Sequence, residues 1–454
     1  MKKTNSLFVI FLVCICGISC CFAAGEEMST VYNLSLEEAI RAAFKNNLDI
    51  QMEEQEISAA QAALLGARSE FLPKLSANAG YEHVDSVLSL PQTQNTKKDP
   101  GIHSGYRNDN KVGLELEQAI YNGGANTVNL QQKQVKLRIQ KETLRARKLD
   151  AEFEVKRLYY GLLLAHETLR IAQNLLDQAR SHFENVKNKY EQGSASRFDR
   201  LQSSVQVSRL GPELIKAKNA VDLIEAELKR FLGLKMQDPI RLKDRFIYSP
   251  IEIKESEFLK LAYLEQPEMT LMALGVDINK WSIEMAKAGS KPQINLQLGS
   301  QYRSNDTGDM INSRHSNWQA GVSVRIPIFD GFSTKAKVDE AKARYAQAKL
   351  QKEDLGDKVA VDIRKACLEL QKARSVIDSQ KDGIEEAREA LKIAGVRYDN
   401  GEGTNLDVMD AQVSLSQVEK NLSEGIYDYL MAEIYLDRTM GQSFIREARN
   451  EKTN

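Results

Sequence analysis

The chain has 454 residues, with 62 basic and 63 acidic side chains and a formal net charge of -1 at pH 7. This balance argues against a general nucleic-acid binder, which carries a basic excess. The content of 9 Pro and 26 Gly excludes a collagen-like or proline-rich disordered chain. Past residue 24 no apolar run reaches the roughly 18 residues that a helical membrane span needs. Taken alone, these sums are typical of a soluble cytoplasmic protein.

The N-terminus changes that expectation. Two lysines precede an apolar stretch from Leu7 to Ala24 that ends in small residues. This pattern predicts a secretory signal peptide at residues 1–24, and an uncleaved membrane anchor is the alternative. Whether Cys20 or Cys21 is lipidated stays open, because the residues before them match a lipoprotein cleavage box poorly. Cys367 is the only cysteine beyond this segment, so the exported chain has no intrachain disulfide.

The rest of the chain contains an internal repeat. The segment Ile120–Gly123 recurs 208 residues later as Ile328–Gly331, and Tyr190–Gly193 recurs with the same shift as Tyr398–Gly401. A constant register over this distance is typical of a duplicated structural unit. The predicted organisation is a first repeat at 25–240, a second repeat at 241–445 and a C-terminal tail at 446–454.

Each repeat contains a pattern that predicts a very long helical hairpin. In the first arm apolar residues alternate in steps of 4 and 3 from Ala151 to Tyr190, as in a coiled-coil seam. The predicted hairpins cover about 124–232 and about 332–440, with arms of about 100 Å at 1.5 Å per residue. We expect Gly193 and Gly401 to end the long arms, and Pro212 to kink the helix that contains it. A coiled-coil structural protein would show the same helices.

Four alternating apolar and polar stretches distinguish the two possibilities. They lie at about 74–84, 110–119, 293–303 and 317–327, and each has the length of a tilted strand that crosses a bilayer. Tyr81, Tyr302 and Trp318 lie near strand ends, where aromatic residues border the membrane. An ordinary soluble hairpin is the alternative for any one pair. Four strands cannot close a barrel, and lipid does not tolerate open edges, so we expect the chain to share its strands with copies of itself. Three copies would give twelve strands.

The chain resembles the TolC-type outer-membrane efflux protein family over nearly its whole exported length. The motifs that carry the resemblance are Leu34–Ile40, Asn46–Ile50, Phe71–Leu75, Ile328–Phe332, Tyr398–Gly401 and Leu406–Asp410. The resemblance implies a mainly α-helical fold with a membrane β-barrel. Three copies would form a twelve-stranded barrel in the outer membrane and a barrel of helical hairpins in the periplasm. The expected partners are a periplasmic adaptor, an inner-membrane pump and outer-membrane lipid.

The resemblance also implies a passive exit channel for efflux or type I secretion, with a narrow aperture at its periplasmic tip. Asp407 and Asp410 are the expected aperture residues, although two solvated carboxylates at a helix start are the alternative. Asn400 and Thr404 depart from the family pattern, so the latch of the gate is not predicted. The tip residues expected to contact the adaptor are Gly193, Ser194, Gly401 and Glu402.

Catalytic motifs are absent from the sequence. The 5 histidines are scattered, the zinc-protease spacing fails, and there is no P-loop or nucleophile elbow. We therefore predict no enzymatic activity, no cofactor and no metal site. A periplasmic or surface coiled-coil protein without a pore is the alternative function. The sequence does not indicate whether a channel would carry drugs, metals or proteins.

Overall fold

A computed structural model describes residues 32–83, 108–246, 248–304 and 316–442. The predicted signal peptide, the lipidation candidates Cys20 and Cys21 and the predicted tail at 446–454 lie outside these ranges. The helices are α1 (Leu36–Asn46), α2 (Leu48–Ser69), α3 (Ala125–Glu191), α4 (Arg197–Leu232), α5 (Glu255–Glu265), α6 (Pro267–Ala288), α7 (Ser333–Asp399) and α8 (Asn405–Met440). The strands are β1 (Tyr32–Leu34), β2 (Lys74–His83), β3 (Asn108–Asn122), β4 (Ile240–Leu242), β5 (Gln293–Ser304) and β6 (Ser316–Arg325).

Two long helical hairpins dominate the fold. Helices α3 and α7 have 67 residues each, and their partners α4 and α8 have 36 each. The heptad seam explains their stability, since Val155 and Leu162 in α3 and Ile363 and Leu370 in α7 are almost completely buried. Each long arm is therefore about 100 Å long.

The four hairpin helices lie side by side in the order α4, α3, α8, α7. Helix α2 packs on α3, and α6 packs on both α3 and α7. One apolar core joins α1, α3 and α4 around Tyr159 and Leu228, and a second joins α5, α7 and α8 around Phe258 and Leu436. Within one chain, α4 and α7 are therefore the two edges of the helical layer.

A four-stranded antiparallel sheet lies at the N-terminal ends of the long helices α3 and α7. Its order is β2, β3, β5, β6, and Asn78 pairs with Gly113, Gly113 with Gln301, and Gln301 with Asn317. One face is polar, and the opposite face exposes apolar side chains such as Trp318. β2 and β6 pair on one side only, so each is an unpaired edge among the described residues.

Helix α4 runs from Arg197 to Leu232 without a break at Pro212. The kink expected there stays a prediction. Across 32–83, 108–246, 248–304 and 316–442, no helix combines the length and the apolar character that crossing a membrane requires.

Candidate functional site at the hairpin tips

The two hairpins turn at adjacent tips that are built alike. α3 ends at Glu191 and α4 starts at Arg197, while α7 ends at Asp399 and α8 starts at Asn405. Gly193 and Gly401 both adopt the left-handed conformation, with φ of +77° and +76°, which permits the sharp reversal. The four residues expected to contact an adaptor are exposed at these two turns: Gly193, Ser194, Gly401 and Glu402.

A reciprocal cap begins the return helix at each tip. In α8 the Thr404 hydroxyl accepts a hydrogen bond from the Asp407 backbone N–H at 3.2 Å, and the Asp407 carboxylate accepts one from the Thr404 backbone N–H at 2.9 Å. Ser196 and Asp199 form the same cap on α4, at 3.0 Å and 3.2 Å. These are capping boxes, which satisfy backbone donors that a helix start leaves unpaired.

The cap also affects the pKa of Asp407. Hydrogen bonding to Thr404, first of all from its backbone N–H, holds the pKa of the Asp407 carboxyl below its usual range. The carboxylate is exposed and therefore charged at neutral pH. Asp407 thus stabilises the start of α8. The alternative for this residue, a solvated carboxylate at a helix start, describes the same position.

Asp410 lies one turn further along α8 on the same exposed face, because residues three apart are neighbours on a helix. Val408 and Met409, between the two aspartates, are buried against the rest of the chain. The structure therefore brings both aspartates expected at the aperture to one surface of the second hairpin.

A buried polar contact joins the two hairpins just inside the tips. His182 of α3 is only 8% exposed, and its Nε2 lies 2.8 Å from Oδ1 of Asn405 in α8. The Tyr398 ring packs on the imidazole in a T-shaped arrangement with 5.2 Å between ring centroids. Val186, Tyr398 and Val408 form an apolar cluster that joins the same three helices, α3, α7 and α8.

An ion pair lies beside this contact. Lys189 Nζ is 3.3 Å from Oδ1 of Asp399 and also donates to the Tyr398 carbonyl at 3.0 Å. Asn185 donates to Asp399 Oδ1 at 2.9 Å. The Asn185 hydrogen bond, followed by that of Lys189, holds the pKa of the Asp399 carboxyl below its usual range. The first hairpin therefore holds the end of α7 through two side chains.

Sequence reasoning did not single out the residues of this junction. His182 counted only as one of several scattered histidines, although it directly precedes Phe183 of the heptad seam. Asn405 is 223 residues away from it along the chain. Only the packing of α3 against α8 brings these two side chains together, and no local pattern specifies that packing.

Metal ligands do not converge in this region. Among the described residues, no group of three or more His, Cys, Asp or Glu side chains is arranged to hold a metal ion. The arrangement at the tips offers hydrogen bonds, ion pairs and exposed carboxylates, which suit ion selectivity and protein contact.

Comparison with known proteins gives a consistent result. The family model described as "Outer membrane efflux protein" matches residues 39–234 and 258–442. The alkaline protease secretion protein AprF of Pseudomonas aeruginosa is 23% identical over 88% of this chain and 83% of its own length. The outer membrane protein TolC of Vibrio cholerae is 22% identical over 97% of this chain and 96% of its own length.

The fold is also similar to solved structures. The outer membrane protein VceC of Vibrio cholerae superposes with a TM-score of 0.78 at 17% identity, covering 90% of this chain and 96% of VceC. At this identity the likeness concerns the fold, which includes the long hairpins and the small sheet described above.

Proposed function

The chain belongs to the outer membrane efflux protein family, and from that premise we propose that three copies form a passive exit channel. It is an outer-membrane protein whose long hairpins lie in the periplasm. In this proposal a periplasmic adaptor joins the channel to an inner-membrane pump, which supplies the work. The chain itself needs no catalytic residue and no cofactor.

The observation that carries the proposal is the sheet with two unpaired edges. Open strand edges are not tolerated in lipid, because their N–H and C=O groups would find no partner there. All neighbours in the sheet are antiparallel, so β6 of one copy can continue antiparallel to β2 of the next. Three copies of this four-stranded sheet give twelve strands, which is enough to close a barrel.

The helical layer supports the same assembly. Its edge helices expose apolar side chains in a single chain, among them Val205 and Ile215 on α4 and Val361 and Ile393 on α7. These side chains are available to pack against another copy of the chain. An interface between α4 of one copy and α7 of the next is head-to-tail, and such contacts form a ring when the rotation between copies closes.

One experiment distinguishes the channel from the alternative, a coiled-coil structural protein without a pore. Membrane fractionation followed by planar-bilayer recording of the full-length purified protein should find it in the outer membrane and show stepwise conductance. A protein that is absent from the membrane fraction and gives no conductance would support the coiled-coil structural protein instead. Stable conductance combined with outer-membrane location would contradict the structural protein without a pore.

We propose further that Asp410, together with Asp407, lines the aperture. In a trimer these two positions contribute six carboxylates around the axis, a ring that favours cations. Asp410→Asn should reduce the permeability of cations relative to anions in bilayer recordings. Asp199→Asn is the control, since it removes a tip carboxylate from the first hairpin, outside the proposed ring, and should leave the permeability ratio unchanged. Equal selectivity in Asp410→Asn and the unmodified protein would remove Asp410 from the aperture.

The adaptor would contact the exposed turns at Gly193, Ser194, Gly401 and Glu402. In this proposal the pump determines which substrate is carried. The channel could belong to an efflux system or to a type I secretion system, because the family model describes efflux proteins and AprF is a secretion protein. Replacing Ser194 and Glu402 by arginine should weaken binding of the cognate adaptor without changing conductance. Unchanged adaptor binding would place the docking surface elsewhere.

A further inference from the structure

The contact between His182 and Asn405 has a defined direction. Asn405 Nδ2 donates to Gln202 Oε1 at 3.1 Å and to the Asp199 carbonyl at 3.4 Å, both on α4. Its amide nitrogen is therefore occupied, and Oδ1 is the atom that faces His182. An amide oxygen only accepts, so His182 Nε2 carries the proton that it donates. The other ring nitrogen is then the one that a second proton must reach.

The surroundings of His182 disfavour that second proton. Burial is the largest cause that lowers the pKa of the imidazole, and the positive charge of Lys189 acts in the same direction. The hydrogen bond to Asn405 and the negative charge of Asp399 oppose this shift without cancelling it. Tyr398 presents an aromatic ring, and the Asp199 carboxylate is engaged in the α4 cap.

We propose that His182 is an acid-sensitive contact that positions the tip of the second hairpin against the first. When the hairpins are together, His182 is neutral and bonded to Asn405. When they separate, water surrounds the imidazole and it takes up a proton readily. Acid therefore favours the separated state. The inference rests on the proposed function, since separation of the tips would move Asp407 and Asp410 on α8 and so widen the aperture.

The sign and size of the effect follow from proton linkage. The pKa of a solvated histidine is 6.5, and that of His182 in the junction lies below it. Between these two values the separated state binds more protons, so stability of the junction is complete above about pH 6.5 and declines as the pH falls. Each His182 can shift the equilibrium toward separation by at most about tenfold between pH 7.5 and pH 5.5.

The test measures the distance between the tips directly. Spin labels on Ser194→Cys and Glu402→Cys, in a Cys367→Ser background of the exported chain without residues 1–24, report hairpin separation by pulsed electron resonance, since no other cysteine remains. We expect a short distance at pH 7.5 and a larger population of a longer distance at pH 5.5. His182→Gln retains an N–H donor for Asn405 but cannot titrate, so its distances should be the same at both pH values.

Asn405→Asp provides the opposite change. A carboxylate at this position would pair with a protonated His182, so acid should strengthen the junction instead of weakening it. The inference is overturned if the unmodified protein shows no acid response, if His182→Gln keeps it, or if Asn405→Asp still separates in acid. Absent conductance with an intact acid response would contradict the proposed channel but not this contact.

Discussion

At the scale of single residues, Tyr398 carries an unusual energetic cost. Its hydroxyl is buried and has no hydrogen-bond partner among the described residues. Its ring nevertheless packs on His182 and lies 4.4 Å from Lys189 Nζ. The ring therefore stabilises the junction, while the hydroxyl has lost its hydrogen bonds to water without replacement.

Tyr398→Phe should therefore stabilise the protein by about 1 kcal/mol, because it removes the unpaired hydroxyl and keeps the ring. The matched control is Tyr159→Phe. Tyr159 is also buried, but its hydroxyl lies 3.0 Å from the Leu34 carbonyl and 2.9 Å from Asp244 Oδ2, so its loss should be destabilising. Thermal unfolding of both variants checks this contrast. A lower unfolding temperature for Tyr398→Phe would show that its hydroxyl has a partner.

The residues at the hairpin tips differ in how far the sequence predicts their contacts. Asp407 and Asp410 are expected at the aperture from the family resemblance, and that role stays a prediction. The reciprocal cap of Asp407 follows from a threonine three residues before it. The pairing of His182 with Asn405 depends on tertiary packing between helices far apart in sequence. No local sequence pattern predicts that a histidine and an asparagine so far apart in the chain will be in contact.

At the scale of elements, the end of α8 is fixed by a close approach. Gly441 caps the helix with φ of +77°, and a Cβ there would lie 2.5 Å from the Glu265 carbonyl oxygen and 2.6 Å from the Gln266 Cα. Both neighbours are backbone atoms between α5 and α6 and cannot move aside as a side chain could. Arg145 of α3 strengthens this corner by donating to the Gly441 carbonyl at 3.3 Å.

Gly441→Ala should consequently lower the unfolding temperature much more than Gly401→Ala. Both positions are left-handed, so each alanine costs about 1–2 kcal/mol from the backbone alone. A Cβ at Gly401 meets open space, whereas one at Gly441 overlaps the α5–α6 connection. Calorimetry of the two variants separates these contributions. Equal losses would mean that the α8 terminus does not depend on this packing.

The elements also differ in how far the sequence specifies them. The heptad seam is a strong local signal, and its residues are buried along α3 and α7. The strands carry a weaker signal, because alternation indicates two faces but not which strand is the neighbour. The pairing of β3 with β5 joins the two halves of the chain across the long first hairpin, so only the tertiary fold reveals it.

At the scale of the whole molecule, one chain presents incomplete surfaces at both ends of its long arms. The sheet has open edges at β2 and β6, and the helical layer exposes apolar side chains on α4 and α7. In the sheet the two open edges are at opposite sides, and the same holds for α4 and α7 in the helical layer. A ring of identical copies requires this arrangement.

In the proposed assembly three copies close one twelve-stranded barrel around a pore. Electron cryo-microscopy of the full-length protein in lipid nanodiscs tests it most directly, because the map counts both copies and strands. We expect threefold symmetry, with β6 of each copy hydrogen-bonded to β2 of the next and α4 packed on the neighbouring α7. A monomer with an open sheet, or a ring with another number of copies, would contradict it.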